Sequence, residues 1–183
     1  MKQLSLDALH RLDIEEYKAA SKLPIVLVLD NIRSMNNIGS IFRTADAFRV
    51  SEIYLCGITT CPPHREIHKT ALGATESVSW KYFNDTLEAI AELKEKKFKI
   101  WALEQTNESV VLQDMVSQPD MALVLGNEVD GVSEEVLLQC DGAVEIPQFG
   151  TKHSLNVSVA SGIALWHLAS GLFDLITDAA QKQ

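Results

Sequence analysis

The sequence predicts an α/β fold in which a mostly parallel sheet is flanked by helices. Short apolar runs rich in valine, isoleucine and leucine alternate along the chain with amphipathic or charged helical segments, the order of elements that builds parallel sheets. These runs are apolar on both faces, as is typical of strands that lie between two layers of helices. With 183 residues, 46% of them hydrophobic, the chain is long enough for one domain with a substantial core.

The first half of the chain supplies three predicted strands. Leucines at helical spacing predict an N-terminal helix over residues 5–22. The run IVLVLD predicts a buried strand, and an amphipathic helix over residues 38–48 follows it. Two further strands are expected at 51–57 and 78–83, on either side of a mixed stretch with a short helix at 64–72.

The second half predicts three more strands and ends in a long apolar helix. The strands are expected at residues 98–103, 121–125 and 143–146, with surface helices at 86–97 and 133–139. The final helix, over 155–177, has little polar circumference, which predicts burial in the core or against a second subunit. Trp101 and Trp166 are expected in the core, and His167 at an interface.

No repeat, low-complexity tract or linker interrupts this order. We therefore expect a single domain over residues 23–183, preceded by a short helical extension over 1–22. Three cysteines without a CxxC pair, no secretory signal and no bilayer-length apolar run predict a cytoplasmic protein with no membrane partner. A net charge of −9 argues against a globally basic nucleic-acid binder and allows a local basic patch.

Three segments that follow predicted strands carry polar and glycine residues that packing does not require. They lie where open parallel sheets bind ligands, beyond the carboxyl ends of the strands. In the first, residues 31–43, Gly39 would let another backbone or a ligand come close, and Arg43 offers a planar fork suited to phosphate. A surface arginine above a tight helix contact is the alternative interpretation.

The second and third segments are a glycine-rich turn at 125–133 and a long loop at 146–156. No GxGxxG or GxxxxGK[ST] pattern occurs, which argues against dinucleotide and P-loop sites. The third segment places donor side chains before a helix: Lys152, His153, Ser154 and Asn156. Capping of that helix by Ser154 is the structural alternative.

Taken together, the three segments resemble the SpoU (TrmH-like) branch of the SPOUT RNA methyltransferases. The matching stretches are NIGSIFRTADAF at 37–48, GNEVDGVS at 126–133, IPQFG at 146–150 and SLNVSVA at 154–160. They occur in the family's order, and the likeness extends from about residue 24 to 172. Two positions depart from the family pattern. Arg49 stands where glycine is frequent, and Gln148 stands where methionine is common.

The resemblance implies methyl transfer to a ribose 2′-hydroxyl of tRNA or rRNA. It also implies a C-terminal trefoil knot that binds S-adenosylmethionine, and a homodimer with the active site near its interface. Backbone groups of four residues would hold the cofactor: Leu103, Gly126, Ile146 and Leu155. Arg43 would be the catalytic arginine, as the base or as a phosphate clamp. Four polar residues would surround the ribose: Asn37, Glu128, Ser154 and Asn156.

RNA contacts are expected from the loops, the N-terminal helix and the second subunit, since no separate RNA-binding domain precedes the core. Four basic side chains are candidates: Arg33, Arg65, Lys69 and Lys152. His64 and His68 are four residues apart, a spacing that could suit a metal. Without a third ligand, a solvated or RNA-facing pair is favoured and no metal is expected.

Two other functions remain open at this point. One is a catalytically silent RNA-binding or assembly factor with the same fold, which would bind no cofactor. The other is a knotted methyltransferase that acts on a base. The intact set of polar residues argues against the first, and the Ser154–Asn156 segment together with Arg43 favours ribose over base.

Overall fold

A computed structural model of the protein describes residues 1, 3 and 11–180, the last three for their backbone only. The strands are β1 (Leu23–Asp30), β2 (Val50–Cys56), β3 (Trp80–Phe83), β4 (Lys99–Leu103), β5 (Val110–Val111), β6 (Met121–Leu125) and β7 (Gly142–Glu145). The helices are α1 (Ile14–Ala19), α2 (Met35–Ala47), α3 (Arg65–Ala71), α4 (Ala74–Ser77), α5 (Thr86–Glu95), α6 (Glu134–Leu137), α7 (Val157–Ser170) and α8 (Asp174–Ala180).

The strands of the described residues form one sheet in the order β3-β2-β1-β6-β4-β7-β5, and each neighbouring pair is parallel. The central strand β1 is apolar on both faces. Ile25, Leu27 and Leu29 point to a core covered by α2, α3 and α7, while Val26 and Val28 point to a second core under α5 and α6. The predicted α/β fold with a parallel sheet between helices is therefore confirmed.

The N-terminal helix is shorter than predicted. Its described part is α1, which begins after Asp13 because Asp13 and Glu16 form a reciprocal capping box. Residues 11–13 and 20–22 are not helical, and positions 5–10 of the prediction lie outside the described residues. The buried side chain of Tyr17 packs α1 against the core that α2, α3 and α7 cover.

The short helix predicted at 64–72 ends where Leu72 and Gly73 take left-handed backbone angles, with φ of 50° and 93°, and α4 begins after them. Neither β5 nor the 3-10 turn that follows it, Leu112–Asp114, was predicted from the sequence. A two-residue strand is too short to show a periodic pattern. Its pairing with β7 depends on the surrounding tertiary structure.

The prediction of one helix over 155–177 is wrong, because the chain breaks at Gly171 into α7 and α8. A Cβ at Gly171 would lie 2.7 Å from Ser117 Cβ, so two segments approach each other closely there. The prediction that Trp166 lies in the core is also wrong. Its side chain is 57% exposed beside Val159 and Ile163, because the opposite face of α7, with Ala164, Leu165 and Leu168, is the one that packs into the core.

Glu92 on α5 accepts hydrogen bonds from three donors on the face of the sheet that α5 covers. Its Oε1 accepts from Lys81 Nζ (2.7 Å), Lys96 Nζ (2.5 Å) and the Tyr54 hydroxyl (2.8 Å). The hydrogen bond from Lys81, followed by that from Lys96, lowers the pKa of Glu92 from 4.5 to about 2. Because the folded-state pKa is depressed, this stabilisation is present above pH 4.5 and is lost as the pH falls towards 2.

We therefore expect Glu92→Gln to lower the free energy of unfolding by about 1 kcal/mol at neutral pH. The value is modest because both lysines are more than 40% exposed. The difference from wild type should shrink as the pH falls below 4.5, which urea unfolding at a series of pH values would measure. Glu95→Gln, at an exposed position of the same helix, is the control. A constant difference at all pH values would contradict the prediction.

Candidate active site

A cleft of about 610 Å³ opens beyond the carboxyl ends of β4, β6 and β7. Its walls come from residues 103–105, from the loop 125–132 after β6, and from the segment 144–160 that joins β7 to α7. The second and third of these walls are segments that the sequence analysis singled out. The cleft therefore lies at the edge of the sheet where the predicted ligand site was expected.

The cleft brings together most of the predicted site residues. All four predicted cofactor-binding residues line it: Leu103, Gly126, Ile146 and Leu155. Three of the five predicted catalytic residues line it as well: Glu128, Ser154 and Asn156. Asn37 joins them through hydrogen bonds, whereas Arg43 is not part of the lining.

A hydrogen-bond network connects all three sequence segments. Asn37 is 9% exposed, and its Nδ2 donates to Glu128 Oε1 at 2.8 Å across 91 positions of sequence. Asn156 Nδ2 donates to Asn37 Oδ1 at 3.1 Å across 119 positions. Asn37 thus lies between the other two, and its side-chain orientation is fixed from both ends. We call these three residues the polar network.

Glu128 anchors the loop after β6 to the start of α2. Besides Asn37, it accepts hydrogen bonds from the backbone N–H groups of Arg33 and Ser34, each at 2.9 Å. Burial by itself would raise the pKa of Glu128, but the hydrogen bonds from Arg33, Asn37 and Ser34 outweigh it and lower the pKa. At neutral pH Glu128 is therefore an ionised acceptor that holds its neighbours in position.

Asn156 is the N-cap of α7, since its Oδ1 accepts from the backbone N–H groups of Ser158 (2.9 Å) and Val159 (3.4 Å). The alternative in which Ser154 caps this helix is wrong, because the helix begins two residues later than predicted. Ser154 is exposed at the edge of the cleft. Within the described ranges no hydrogen-bond partner of its hydroxyl is found, so the hydroxyl is available to a ligand.

Gly39 and Arg43 lie about one turn apart on α2 and differ in burial. A Cβ at Gly39 would collide with Thr70 Oγ1 and the Ile67 carbonyl, so α3 packs directly on the glycine, as the sequence suggested. Arg43 is exposed. Its neighbour Thr44 faces Gly162 of α7. Arg43 does not line the cleft.

The predicted RNA-contacting side chains are all exposed and fall into two groups. Arg33 and Lys152 lie beside residues of the cleft. Arg65 and Lys69 lie on α3, where Lys69 is paired with Glu66 at 2.7 Å. His64 caps α3 by accepting the Glu66 N–H, and the described part of the chain holds no group of three or more potential metal ligands.

Glu104 and Gln105 line the cleft although sequence analysis did not select them. Glu104 Oε2 accepts the Val132 N–H at 3.1 Å, and Gln105 Nε2 donates to the His153 carbonyl at 3.0 Å. Both follow the last residue of β4, so the same rule that marked the other strand ends could have found them. They were missed because no glycine accompanies the polar run 104–109 that they begin.

The chain belongs to the SpoU rRNA Methylase family, whose model matches residues 24–166. The resemblance noted in the sequence is thereby confirmed. The parallel sheet and the site at its edge agree with this class of protein. In the part of the chain that the structure describes, no helix is both long and apolar enough to cross a membrane.

Individual relatives show how far the similarity extends. The chain is 33% identical over 156 residues to the 23S rRNA (guanosine-2′-O-)-methyltransferase RlmB of Vibrio parahaemolyticus, covering 84% of this chain and 62% of the relative. It is 32% identical over 166 residues to a tRNA (guanosine(18)-2′-O)-methyltransferase of Thermus thermophilus, covering 88% and 84%. The AdoMet-bound rRNA methyltransferase of Sinorhizobium meliloti superposes with a TM-score of 0.77 at 28% identity, covering 83% and 58%.

Proposed function

We propose that the protein transfers a methyl group from S-adenosylmethionine to a ribose 2′-hydroxyl of tRNA or rRNA. The observation that carries this proposal is the polar network, which joins three distant segments at the edge of a ligand-sized cleft. Family membership supports the reaction class, and relatives named as ribose methyltransferases of rRNA and of tRNA support the substrate class.

The residues of the cleft fit S-adenosylmethionine. Leu103, Ile146 and Leu155 supply apolar surface. A Cβ at Gly126 would collide with the Gly131–Val132 peptide, so the turn leaves no room for a side chain at position 126. Four carboxylates line the cleft: Glu104, Glu128, Asp130 and Glu145. No lysine or arginine of the described chain lines it, which suits a positively charged ligand. When bound, the cofactor would supply an electrophilic methyl group.

The protein must then position the ribose 2′-hydroxyl and help to remove its proton. Asn37 and Asn156 each use one side-chain N–H within the polar network and keep a second for a ribose oxygen. The free Ser154 hydroxyl can bind the same sugar. Arg43 would bind a phosphate of the RNA through its guanidinium, while Arg33 and Lys152 would meet the backbone next to the cleft. Precise positioning alone removes several kcal/mol of barrier.

We further propose a homodimer formed through the exposed face of α7. Val159, Ile163 and Trp166 form an apolar stripe at helical spacing, and their side chains are 51%, 41% and 57% exposed. The Trp166 ring continues the stripe to Phe48 at the end of α2, with ring centroids 5.9 Å apart. Arg43 is exposed and does not line the cleft of its own subunit, so we infer that the dimer brings the Arg43 of one subunit to the cleft of the other.

Trp166→Glu is expected to convert the dimer to a monomer, because it would place a charge in the centre of the buried interface. Light scattering after size-exclusion chromatography measures the mass directly. Leu138→Glu is the matched control, because Leu138, the residue that follows α6, is 75% exposed and does not belong to the stripe. An unchanged mass for Trp166→Glu, or an equal change for Leu138→Glu, would contradict an interface at α7.

The architecture that accompanies this function is also a proposal. We infer one methyltransferase domain over residues 23–183 with an extension over 1–22, and a C-terminal segment passed through a loop as a trefoil knot. The packing of α7 against α2, an element more than a hundred positions earlier, supports such a return of the chain. We expect a cytoplasmic enzyme that needs no metal, so that EDTA should leave its activity unchanged.

The direct test is to incubate the protein with tritiated S-adenosylmethionine and separate tRNA and rRNA pools, then to identify the labelled nucleoside. A labelled 2′-O-methylnucleoside, whose linkage resists alkaline cleavage, is the expected result. Label on a base would favour the base-directed alternative. Absence of both label and cofactor binding would overturn the proposal and favour a silent RNA-binding factor.

A further inference from the structure

Glu104 is held rigidly at the wall of the cleft. Its Oε1 accepts the N–H of Gln105 at 2.8 Å, and its Oε2 accepts the N–H of Val132 at 3.1 Å. Oε2 also occupies the space where a Cβ of Gly131 would lie, so the carboxylate fills the gap that this glycine leaves. Two backbone donors and the loop therefore prevent the side chain from turning away from the cleft.

The four carboxylates that line the cleft differ in the groups that hold them in place. Glu128 is satisfied by three donors at the start of α2. Glu145 accepts from the Ser109 hydroxyl at 2.8 Å, and Asp130 is exposed. Glu104 and Glu145 are both partly buried, and neither has an ion-pair partner among the residues that the structure describes, but both oxygens of Glu104 accept backbone N–H groups whereas Glu145 accepts one serine hydroxyl. The charge of Glu104 is thus both fixed in place and left for a ligand to neutralise.

We propose that Glu104 makes the cleft prefer the positively charged S-adenosylmethionine over its neutral by-product S-adenosylhomocysteine. This inference rests on the proposed function. The two molecules differ by the methyl group and the sulfonium charge, so a fixed carboxylate in a partly buried wall attracts the first more strongly than the second. Methyl transfer removes that charge, and the same carboxylate then ceases to hold the by-product. Glu104 would thereby favour exchange of spent for fresh cofactor.

The test compares the affinities of both molecules for wild type and Glu104→Gln by isothermal titration calorimetry. Glutamine keeps the shape and an acceptor oxygen for the Val132 N–H but removes the charge. We expect the Kd for S-adenosylmethionine to rise about tenfold, equivalent to about 1.4 kcal/mol, while that for S-adenosylhomocysteine changes less than about twofold. Glu104→Asp keeps the charge and should retain the preference even if its absolute affinities fall. Glu145→Gln is the control for the general charge of the cleft.

The outcomes separate a charge effect from a structural one. Equal weakening of both ligands in Glu104→Gln would mean that Glu104 only supports the loop, and would overturn the inference. So would unchanged binding of both, or an equal loss of preference in Glu145→Gln. If wild type binds neither molecule, the proposed function itself fails. If wild type binds both and Glu104→Gln leaves their ratio unchanged, only the present inference fails.

Discussion

Arg43→Ala is expected to lower methyl transfer by about 10³-fold while S-adenosylmethionine binds as in wild type. Arg43 lies outside the cleft on an exposed surface of α2, so its loss leaves the cofactor walls intact. Its guanidinium would act on the RNA, either as a clamp on a phosphate or as the base that takes the ribose proton. Single-turnover kinetics with labelled cofactor, together with calorimetric cofactor binding, measure the two effects separately. Activity near that of wild type would contradict both roles of Arg43, the phosphate clamp and the base.

Three comparisons sharpen this experiment. Arg65→Ala removes an equally exposed arginine on α3 and should weaken RNA binding only mildly, which makes it the matched control. Arg43→Lys keeps the positive charge and loses the planar fork, so partial activity would favour a clamp. Mixed dimers of Arg43→Ala with a cofactor-site variant such as Gly126→Ala test whether the arginine acts across the interface. Recovery of activity on mixing is expected if it does.

Glu128→Ala is expected to damage both stability and activity, because it leaves three donors of the polar network without their acceptor. Two of these are the backbone N–H groups of Arg33 and Ser34, and the third is the Asn37 side chain. Hydrogen bonds to a charged acceptor contribute about 1.5–3 kcal/mol each, and water can replace part of that loss, so we expect about 2–3 kcal/mol lower stability. With Asn37 no longer oriented, turnover should fall about 100-fold. Urea unfolding and single-turnover kinetics measure the two losses.

Asp130→Ala is the control for this prediction, because Asp130 lies two positions further along the same loop and is exposed. The lowered pKa of Glu128 adds a second expectation. Its contribution to stability is present above the ordinary carboxyl pKa and disappears as the pH falls through the lower folded value. The wild type should therefore lose its advantage over Glu128→Ala in acid. Equal stability of the two proteins at neutral pH would contradict the role assigned to the network.

Much of the fold was predictable because burial leaves a strong pattern in sequence. The strand β1 had to be apolar on both faces to lie between two layers of helices, and the run IVLVLD showed this directly. The polar residues after β6 and β7 were equally visible, since burial of apolar side chains does not call for Glu128 or Asn156 at those positions. Their arrangement along the chain also carried the family resemblance. That resemblance supplied the expected chemistry.

The site itself was only partly predictable. The sequence named Asn37, Glu128 and Asn156 individually, but not that Asn37 bridges the other two across 91 and 119 positions. Hydrogen bonds over such distances depend on sheet order, and local patterns carry no information about which strands become neighbours. Glu104 was missed for a related reason, because its importance comes from the Val132 N–H and Gly131, which only the folded chain brings to it.

The sequence by itself therefore determined the class of fold, the positions of its long strands and the residue types available for chemistry. These features depend on local propensity and on which side chains avoid water, and the sequence pattern reflects both properties directly. Only the tertiary structure decided the break at Gly171, the exposed face that includes Trp166, and the position of Arg43 outside the cleft. Those features depend on close packing between segments far apart in the chain, where a single contact decides which face is buried.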